Sequence, residues 1–298
     1  MNDLQPSYTS LADRAVLRLT GPDAKPFLQG LISNDVTKLS TGRAIHAAFL
    51  SPQGKYLHDF FLAEDAAGLL LDGEKERLAD LKRRLGLYRL RSQVTIEAAE
   101  DLAVFALPGL LSLSAVKLPA EAGGAKPLDG GVIFADPRLM AVGARAILSN
   151  GDGILAAFGL ASVERSRYDQ LRLSLGLPDG SRDMAIDKSI LLEGGFEELH
   201  GIDFAKGCYM GQEVTARSKY RGLIKRRLLP VAIEGTAPPP GTPLMLGDRE
   251  AGEMRSSSGN RGLALLRLER FAEAQAEGRT LTAAGATLTP SKPDWASF

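Results

Sequence analysis

Residues 15 to 19, AVLRL, alternate apolar and polar side chains as a half-buried strand requires. The period changes at Thr20-Gly21-Pro22. Ala24, Phe27, Leu28 and Leu31 then fall at helical spacing, with Pro22 suited to a first helical position and Pro26 tolerable near the first turn. Two apolar runs, 44 to 50 and 55 to 64, flank Ser51-Pro52-Gln53-Gly54, and this turn chemistry predicts a hairpin. A strand at 68 to 73, a helix with Leu78, Leu81 and Leu85 inward, and a strand at 94 to 98 follow. Further strands are predicted at 103 to 107, 131 to 136 and 140 to 148, with 119 to 131 as an exposed connection and helical period at 160 to 175. From Leu177 to Lys206 the chain is punctuated by Gly, Asp and Pro, which predicts a long loop with short strands, a setting that often carries function. After residue 225 come five short β-like runs at close spacing, with one weak helical pattern at 268 to 277, as in a small β-barrel or sandwich. The pattern therefore predicts a mixed α+β domain over 1–225 and an all-β domain over 226–298.

Composition narrows the class. With 44% apolar and 24% charged residues, the 298-residue chain reads as an ordinary globule of two domains rather than a disordered chain. Thirty-six basic residues balance 36 acidic ones, so no global field favours nucleic acid or an anionic membrane. The run Lys225-Arg226-Arg227 is too short, and too free of interleaved aromatics, to change that; it reads as a solvated strand start or a docking contact. No stretch has the roughly 18 uncharged apolar residues of a bilayer span, and the opening MNDLQPSYTS lacks the pattern of a secretory leader. A single cysteine excludes an internal disulfide framework and a C-x-x-C metal site, and it points to a reducing compartment; a cytoplasmic location is expected. His46, His58 and His200 are scattered, so metal binding by this chain alone is not expected.

The cysteine stands in Lys206-Gly207-Cys208-Tyr209-Met210-Gly211-Gln212-Glu213, with Arg217 further on. Two glycines four apart predict backbone that is bent or closely approached. Lys206 and Arg217 would favour the thiolate by their charge. Free cysteines are most often small buried apolar residues, but the Lys, Gln and Glu neighbours favour an exposed, functional thiol. A nucleophilic cysteine needs a histidine within reach, and nothing in the spacing brings His200 to Cys208. His46 and His58 fall in the predicted hairpin, where packing is the plain role. Nucleophile-elbow, Walker and Rossmann patterns are absent.

KGCYMGQE resembles the central K-G-C-Y-x-G-Q-E motif of the YgfZ-type folate-binding proteins, relatives of the aminomethyltransferase (T-protein) of the glycine cleavage system. The likeness continues in Gly21-x-Asp23-Ala24-x-x-Phe27-Leu28-Gln29-Gly30, Asn34-Asp35-Val36, Asp136-Pro137-Arg138, Gly143, Arg145, Tyr168-x-x-x-Arg172-x-x-x-Gly176-x-Pro178-x-Gly180, Gly252 and Ser256-Ser257. It spans about residues 13 to 266. The Tyr168 to Gly180 pattern and Gly222-x-Ile224-x-Arg226-Arg227-Leu228 are most similar to the iron-sulfur assembly factors within that family.

This resemblance implies a T-protein folate-binding fold of ferredoxin-like α+β units followed by a small β-barrel. It implies a factor that helps mature [4Fe-4S] proteins such as aconitase, lipoate synthase and other radical-SAM enzymes, with A-type iron-sulfur scaffold proteins as partners. Cys208 and Lys206 would carry the chemistry within Gly207, Tyr209, Gly211, Gln212, Glu213 and Arg217. A tetrahydrofolate or related folate would be held by Asn34, Asp35, Asp59, Arg138, Arg145, Tyr168 and Arg172. A [4Fe-4S] cluster normally takes four ligands, so one cysteine implies at most a cluster shared with a partner.

The chain departs from the T-protein pattern. Where T-proteins have Gly-Gly-x-x-Asp-Asp it has Gly54-Lys55-Tyr56-Leu57-His58-Asp59, with one carboxylate; Asp136-Pro137-Arg138 stands where a pterin-binding Glu run is found, and Tyr168 replaces an Arg for the folate tail. These changes weigh against aminomethyl transfer, since a buried pterin needs an acceptor for its ring N–H groups. The same side chains also have plain roles: Asn34, Asp35 and Asp59 as caps, Arg138 and Arg145 in ion pairs, Tyr168 in packing. A tetrahydrofolate-dependent one-carbon transferase acting through Asp59 and a thiol enzyme acting through Cys208 with a histidine stand as alternatives.

Overall fold

Strands form where the apolar positions alternate. A computed structural model describes residues 5–222 and 224–298. Along the chain these form β1 (Ser7–Ser10), β2 (Arg14–Thr20), α1 (Ala24–Gln29), β3 (Ile45–Leu50), β4 (Tyr56–Asp65), β5 (Gly68–Glu74), α2 (Leu78–Leu87), β6 (Thr95–Ala98), β7 (Ala103–Pro108), α3 (Gly109–Ala115), β8 (Ala125–Leu128), β9 (Gly131–Ala135), β10 (Gly143–Leu148), α4 (Gly151–Ala157), β11 (Ala161–Ser162) and α5 (Arg165–Ser174). After a long strap follow α6 (Gln212–Tyr220), β12 (Arg226–Glu234), β13 (Pro243–Leu246), β14 (Arg249–Ser258), β15 (Arg261–Arg267), α7 (Leu268–Ala276), β16 (Leu281–Ala283) and β17 (Ala286–Pro290).

One sheet has the order β3-β4-β5-β2-β6, and a second has β11-β1-β7-β10-β9-β8. Adjacent residues of β4 show how they stack. Phe60 belongs to the apolar core that includes Phe27 and Leu28 of α1 and Leu81 and Leu85 of α2. Phe61 faces the other way, into a core shared with Val104, Phe134 and Ile147 of the second sheet. The second sheet's outer face packs Phe105 and Leu148 against Leu113 of α3 and Leu155 of α4. The layers are therefore helix, sheet, sheet, helix, and β4 is covered on both faces, which explains its unbroken apolar run. β12-β15-β14-β13-β16-β17 close into a barrel around Leu229, Val231, Met254 and Phe271. Among the described residues, no helix is long and apolar enough to cross a membrane.

Several local expectations change. The connection expected at 119 to 131 contains β8, a sheet-edge strand whose Pro127 hides it from a strand pattern, because proline is tolerated in strands chiefly at edges. The segment 177–206 forms no strands; it turns through 3-10 turns at Gly180–Arg182 and Leu191–Gly194. Its Leu177, Met184, Leu191, Leu192 and Phe196 are buried, so it is a strap clamped into the interior rather than a solvent loop. The helix expected from Pro22 begins at Ala24, behind Asp23. The final β-like run divides at Gly285, whose φ of +83° makes the reversal between β16 and β17.

Candidate functional site

The strap delivers the KGCYMGQE segment to the end of α1. Lys206 Nζ donates to the carbonyls of Ile32 (2.6 Å) and Asn34 (2.7 Å). Gln29 Nε2 donates to the Lys206 carbonyl (3.3 Å) and to Asp35 Oδ1 (3.0 Å), and the Met210 amide donates to the Gly30 carbonyl. Burial pulls the Lys206 ammonium down to about 8, against the opposing charges of Asp35 and Asp203. Tyr209 sinks into an apolar cluster with Leu50, Tyr56, Leu191 and Phe196. Burial raises its phenol to about 12, and its hydroxyl has no hydrogen-bond partner among the described residues. With both neighbours of the Gly207-Cys208 pair anchored inside, Cys208 is left exposed at the crest of the loop.

The thiolate-directing role expected of Lys206 and Arg217 finds no direct geometry. Lys206 is spent on two backbone carbonyls, and Arg217 is paired with Glu213 one helical turn away. Lys206 acts as a staple. Gln212 caps the segment by accepting from the Tyr209 amide (3.3 Å) as α6 begins. Neither this helix nor the staple from Gln29 was visible in the spacing of apolar residues, although Gln29-Gly30 lies within the stretch that carries the family resemblance.

Both glycines have left-handed backbone, Gly207 at φ +92° and Gly211 at φ +81°. Their surroundings differ. A Cβ on Gly211 would lie 2.6 Å from the Ser51 carbonyl oxygen, whereas one on Gly207 meets nothing within 4 Å. The β3–β4 hairpin tip thus presses on the loop at Gly211. Gly211→Ala is expected to cost about 2 to 5 kcal/mol, backbone strain plus a clash that cannot relax cheaply, and Gly207→Ala about 1 kcal/mol. Denaturant unfolding of the two variants side by side checks the difference.

The seven residues expected to hold folate are placed together only in part, and protein groups occupy their polar atoms. Asn34 Nδ2 donates to the carbonyls of His46 and His200, both at 2.7 Å. Asp35 caps its own turn, accepting from the Thr37 amide (3.0 Å) and hydroxyl (2.8 Å). Asp59 accepts from Tyr56 OH (2.8 Å) and from His46 Nε2 (3.2 Å). Arg138 grips Asp136 with two nitrogens, and with Arg145 it donates to Tyr168 OH, each at 3.3 Å. Arg145 also pairs with Asp72 (2.6 Å), which pairs in turn with Arg14 (2.7 Å). The guanidinium carbons of Arg14, Arg138 and Arg145 lie 5.8, 4.8 and 4.0 Å from the centroid of the Phe61 ring. Arg172 lies apart, against the barrel, bound to Asp169, Asp183 and Ser256.

None of the seven has a buried polar atom without a partner. A pterin would have to break ion pairs that are already complete, at the cost of unpaired buried charge. As placed, these residues therefore do not fit a folate: Asp59, Arg138, Arg145 and Tyr168 belong to the polar core between the sheets, Asn34 and Asp35 fix the turn after α1, and Arg172 ties α5 to the barrel. Of the plain alternatives, a cap fits Asp35 and ion pairs fit Arg138 and Arg145, whereas Asp59 caps nothing and lies within β4, bonded to Tyr56 and His46. Lys225-Arg226-Arg227 has a similar fate: Arg226 pairs with Glu193 (2.9 Å) and Arg227 with Glu198 (2.8 Å), strapping the barrel to residues 193–198.

This interior gives the fold a defined pH response. Burial raises the carboxyls of Asp59 and Asp136, but His46 and Arg14 for the first and Arg138 and Arg145 for the second hold both below the ordinary value near 3.8. A group depressed in this way stabilises the fold fully above its unfolded value and loses that contribution as pH falls through the folded one. His58 is pulled down to about 4, chiefly by burial and then by Arg77, so its neutral form is the one the fold prefers. Acid is thus expected to act in two stages: a loss as pH falls below the unfolded histidine value near 6.5, up to about 3 kcal/mol of it from His58 and a further share from His46, which burial also pulls down, then a steeper loss below about pH 4 as the carboxylates protonate. His58→Gln should remove the His58 share of the first stage and leave that of His46, as thermal midpoints measured from pH 8 to 3 would reveal.

Similar proteins place this arrangement in a lineage. A family model described as the CAF17 C-terminal beta-barrel domain matches residues 225–298. The iron-sulfur cluster assembly factor IBA57, mitochondrial, of Homo sapiens is 34% identical over 305 residues, covering 96% of this chain and 84% of its own. Its Mus musculus counterpart is 31% identical over 306 residues with the same coverage. Among solved structures, glycine cleavage system aminomethyltransferase T from Bartonella henselae matches with a TM-score of 0.78 over 98% of this chain and 86% of that one, at 16% identity. That likeness speaks for the fold alone. The T-protein fold with a terminal barrel, implied by the sequence resemblance, is the fold observed.

The cytoplasmic expectation is overturned by the relatives, whose names place them in mitochondria. A lone free cysteine points to a reducing compartment without saying which one, and that is where the inference overreached. A third of all positions shared with human IBA57 across nearly the whole chain, on the T-protein fold and with the CAF17 barrel behind it, shows that the chain belongs to the IBA57 family of iron-sulfur cluster assembly factors.

Proposed function

We propose that this chain helps mature [4Fe-4S] proteins by offering Cys208 as one thiolate ligand to a cluster shared with a partner. A single observation carries the reading: an exposed thiol at the crest of a loop whose flanking Lys206 and Tyr209 are fixed in the interior. The base is rigid and the sulfur is free. With one cysteine in the chain, the remaining ligands come from the partner. In this reading A-type iron-sulfur scaffold proteins supply the cluster, and apo-aconitase, lipoate synthase and other radical-SAM enzymes receive it.

The exchange balances without a redox step. Cys208 loses its proton to solvent as the iron–sulfur bond forms; a client thiolate then displaces it, and Cys208 leaves as thiolate and takes a proton back. One bond from this chain makes release easy, as handover requires. Residues 1–225 would carry the thiol, with the 226–298 barrel as a brace held through Arg226, Arg227 and Arg172. No step passes through folate.

Complementation of cells lacking their own factor tests the reading, with aconitase and lipoate-dependent activities followed beside protein abundance. Wild type and Asp59→Asn should restore both activities, while Cys208→Ala accumulates normally and fails. Full rescue by Cys208→Ala with failure of Asp59→Asn would instead favour a folate-dependent one-carbon transferase.

A further inference from the structure

Beside the Cys208 loop the surface is apolar where water should favour polar groups. Leu87, Tyr88 and Ile186, which are 65%, 41% and 44% exposed, line a cleft of about 210 Å³ together with Met210. Leu90, 90% exposed, extends the apolar strip. Large apolar side chains clustered in this way mark a surface that another molecule covers. The rim is basic. From Leu81 to Val94 the chain carries Lys82, Arg83, Arg84, Arg89 and Arg91 and no carboxylate. Asp80 neutralises Arg83 and Arg84, but Lys82, Arg89 and Arg91 have no ion-pair partner among the described residues, and Asp187 is the one carboxylate lining the cleft.

We propose that this cleft is the docking site for the protein that shares the cluster: an apolar anchor on that partner seats against Leu87, Tyr88, Ile186 and Met210, and carboxylates around the anchor face Arg89 and Arg91. The inference rests on the reading of Cys208 as a shared ligand. Met210 is two residues from Cys208, so thiol and cleft are within about 7 Å along the backbone. A standard interface covers about 800 Å² of each partner, ample to take in both. A concave apolar cleft suits a side-chain anchor better than a flat bilayer surface or a phosphate backbone, and the unpaired cations select an acidic partner and speed the encounter.

The test uses the full chain and, as probe, a cluster-free A-type scaffold protein, with binding measured by calorimetry at low and high salt. Leu87→Asp with Leu90→Asp is expected to weaken binding about tenfold or more, at positions exposed enough to spare the fold. Arg89→Glu with Arg91→Glu should weaken it by a similar factor and flatten the salt dependence. Cys208→Ser should bind the cluster-free probe within about threefold of wild type. Wild-type affinity in both surface variants, or no binding by wild type, overturns the proposal. So does a result in which the surface variants lose only binding to phosphatidylserine vesicles. If Cys208→Ser keeps the cluster while the surface variants still lose binding, the ligand reading has failed and the docking site has not.

Discussion

Cys208→Ser is expected to abolish cluster delivery while leaving the molecule folded. The side chain is exposed and takes no part in the apolar clusters, so unfolding free energy should stay within about 0.5 kcal/mol of wild type. Delivery to apo-aconitase, in contrast, should fall by on the order of 100-fold, because an oxygen ligand is a poor substitute for a thiolate on iron. The contrast is the informative part. A structural cysteine would move stability and activity together, and an electrostatic role for Lys206 would predict partial activity for any polar replacement. Lys206→Met supplies the complementary case: it leaves the Ile32 and Asn34 carbonyls without their donor, so loop order and delivery should decline together.

The largest effect on stability is expected far from the thiol, at Arg172. Its side chain is fully buried and bonds Asp169 Oδ1 (2.7 Å), Asp183 Oδ2 (2.9 Å), Ser256 Oγ (2.9 Å) and the Leu177 carbonyl (3.2 Å). It thereby joins α5, the buried strap and barrel strand β14 at one guanidinium. Arg172→Leu strands Asp183 without its cation and should cost about 3 to 5 kcal/mol, a large part of the 5 to 15 kcal/mol that holds a typical domain together. Adding Asp183→Asn removes the stranded charge, so the double variant should be less destabilised than the single changes sum to. Urea unfolding of the three variants reads both results.

The elements legible in the sequence were those with a sustained period. Arg14–Thr20 and the hairpin around Ser51–Gly54 alternate or run apolar without interruption, and α2 presents Leu78, Leu81 and Leu85 on one face. The 177–206 strap was not legible, since it buries apolar residues at irregular spacing on turns that follow no period. The site divides in the same way. The thiol motif is contiguous, so its residue types and glycines announce it. The ionic interior is not, because Asp72 meets partners 58 and 73 residues away and Arg172 meets one 84 residues away. Local reading can identify such residues as polar and unusual, and a folate ligand and an internal ion pair then look alike.

The proposed role of Cys208 as a ligand of a shared cluster is open to direct observation. The most direct measurement mixes the chain anaerobically with a cluster-loaded A-type scaffold protein, isolates the complex, and records its iron content and thiolate-to-iron absorption for wild type and Cys208→Ser. A stable cluster-bound complex is expected for wild type, with a changed spectrum and loss of iron on isolation when Cys208 is serine. An identical spectrum and iron content with serine at 208 would contradict that role.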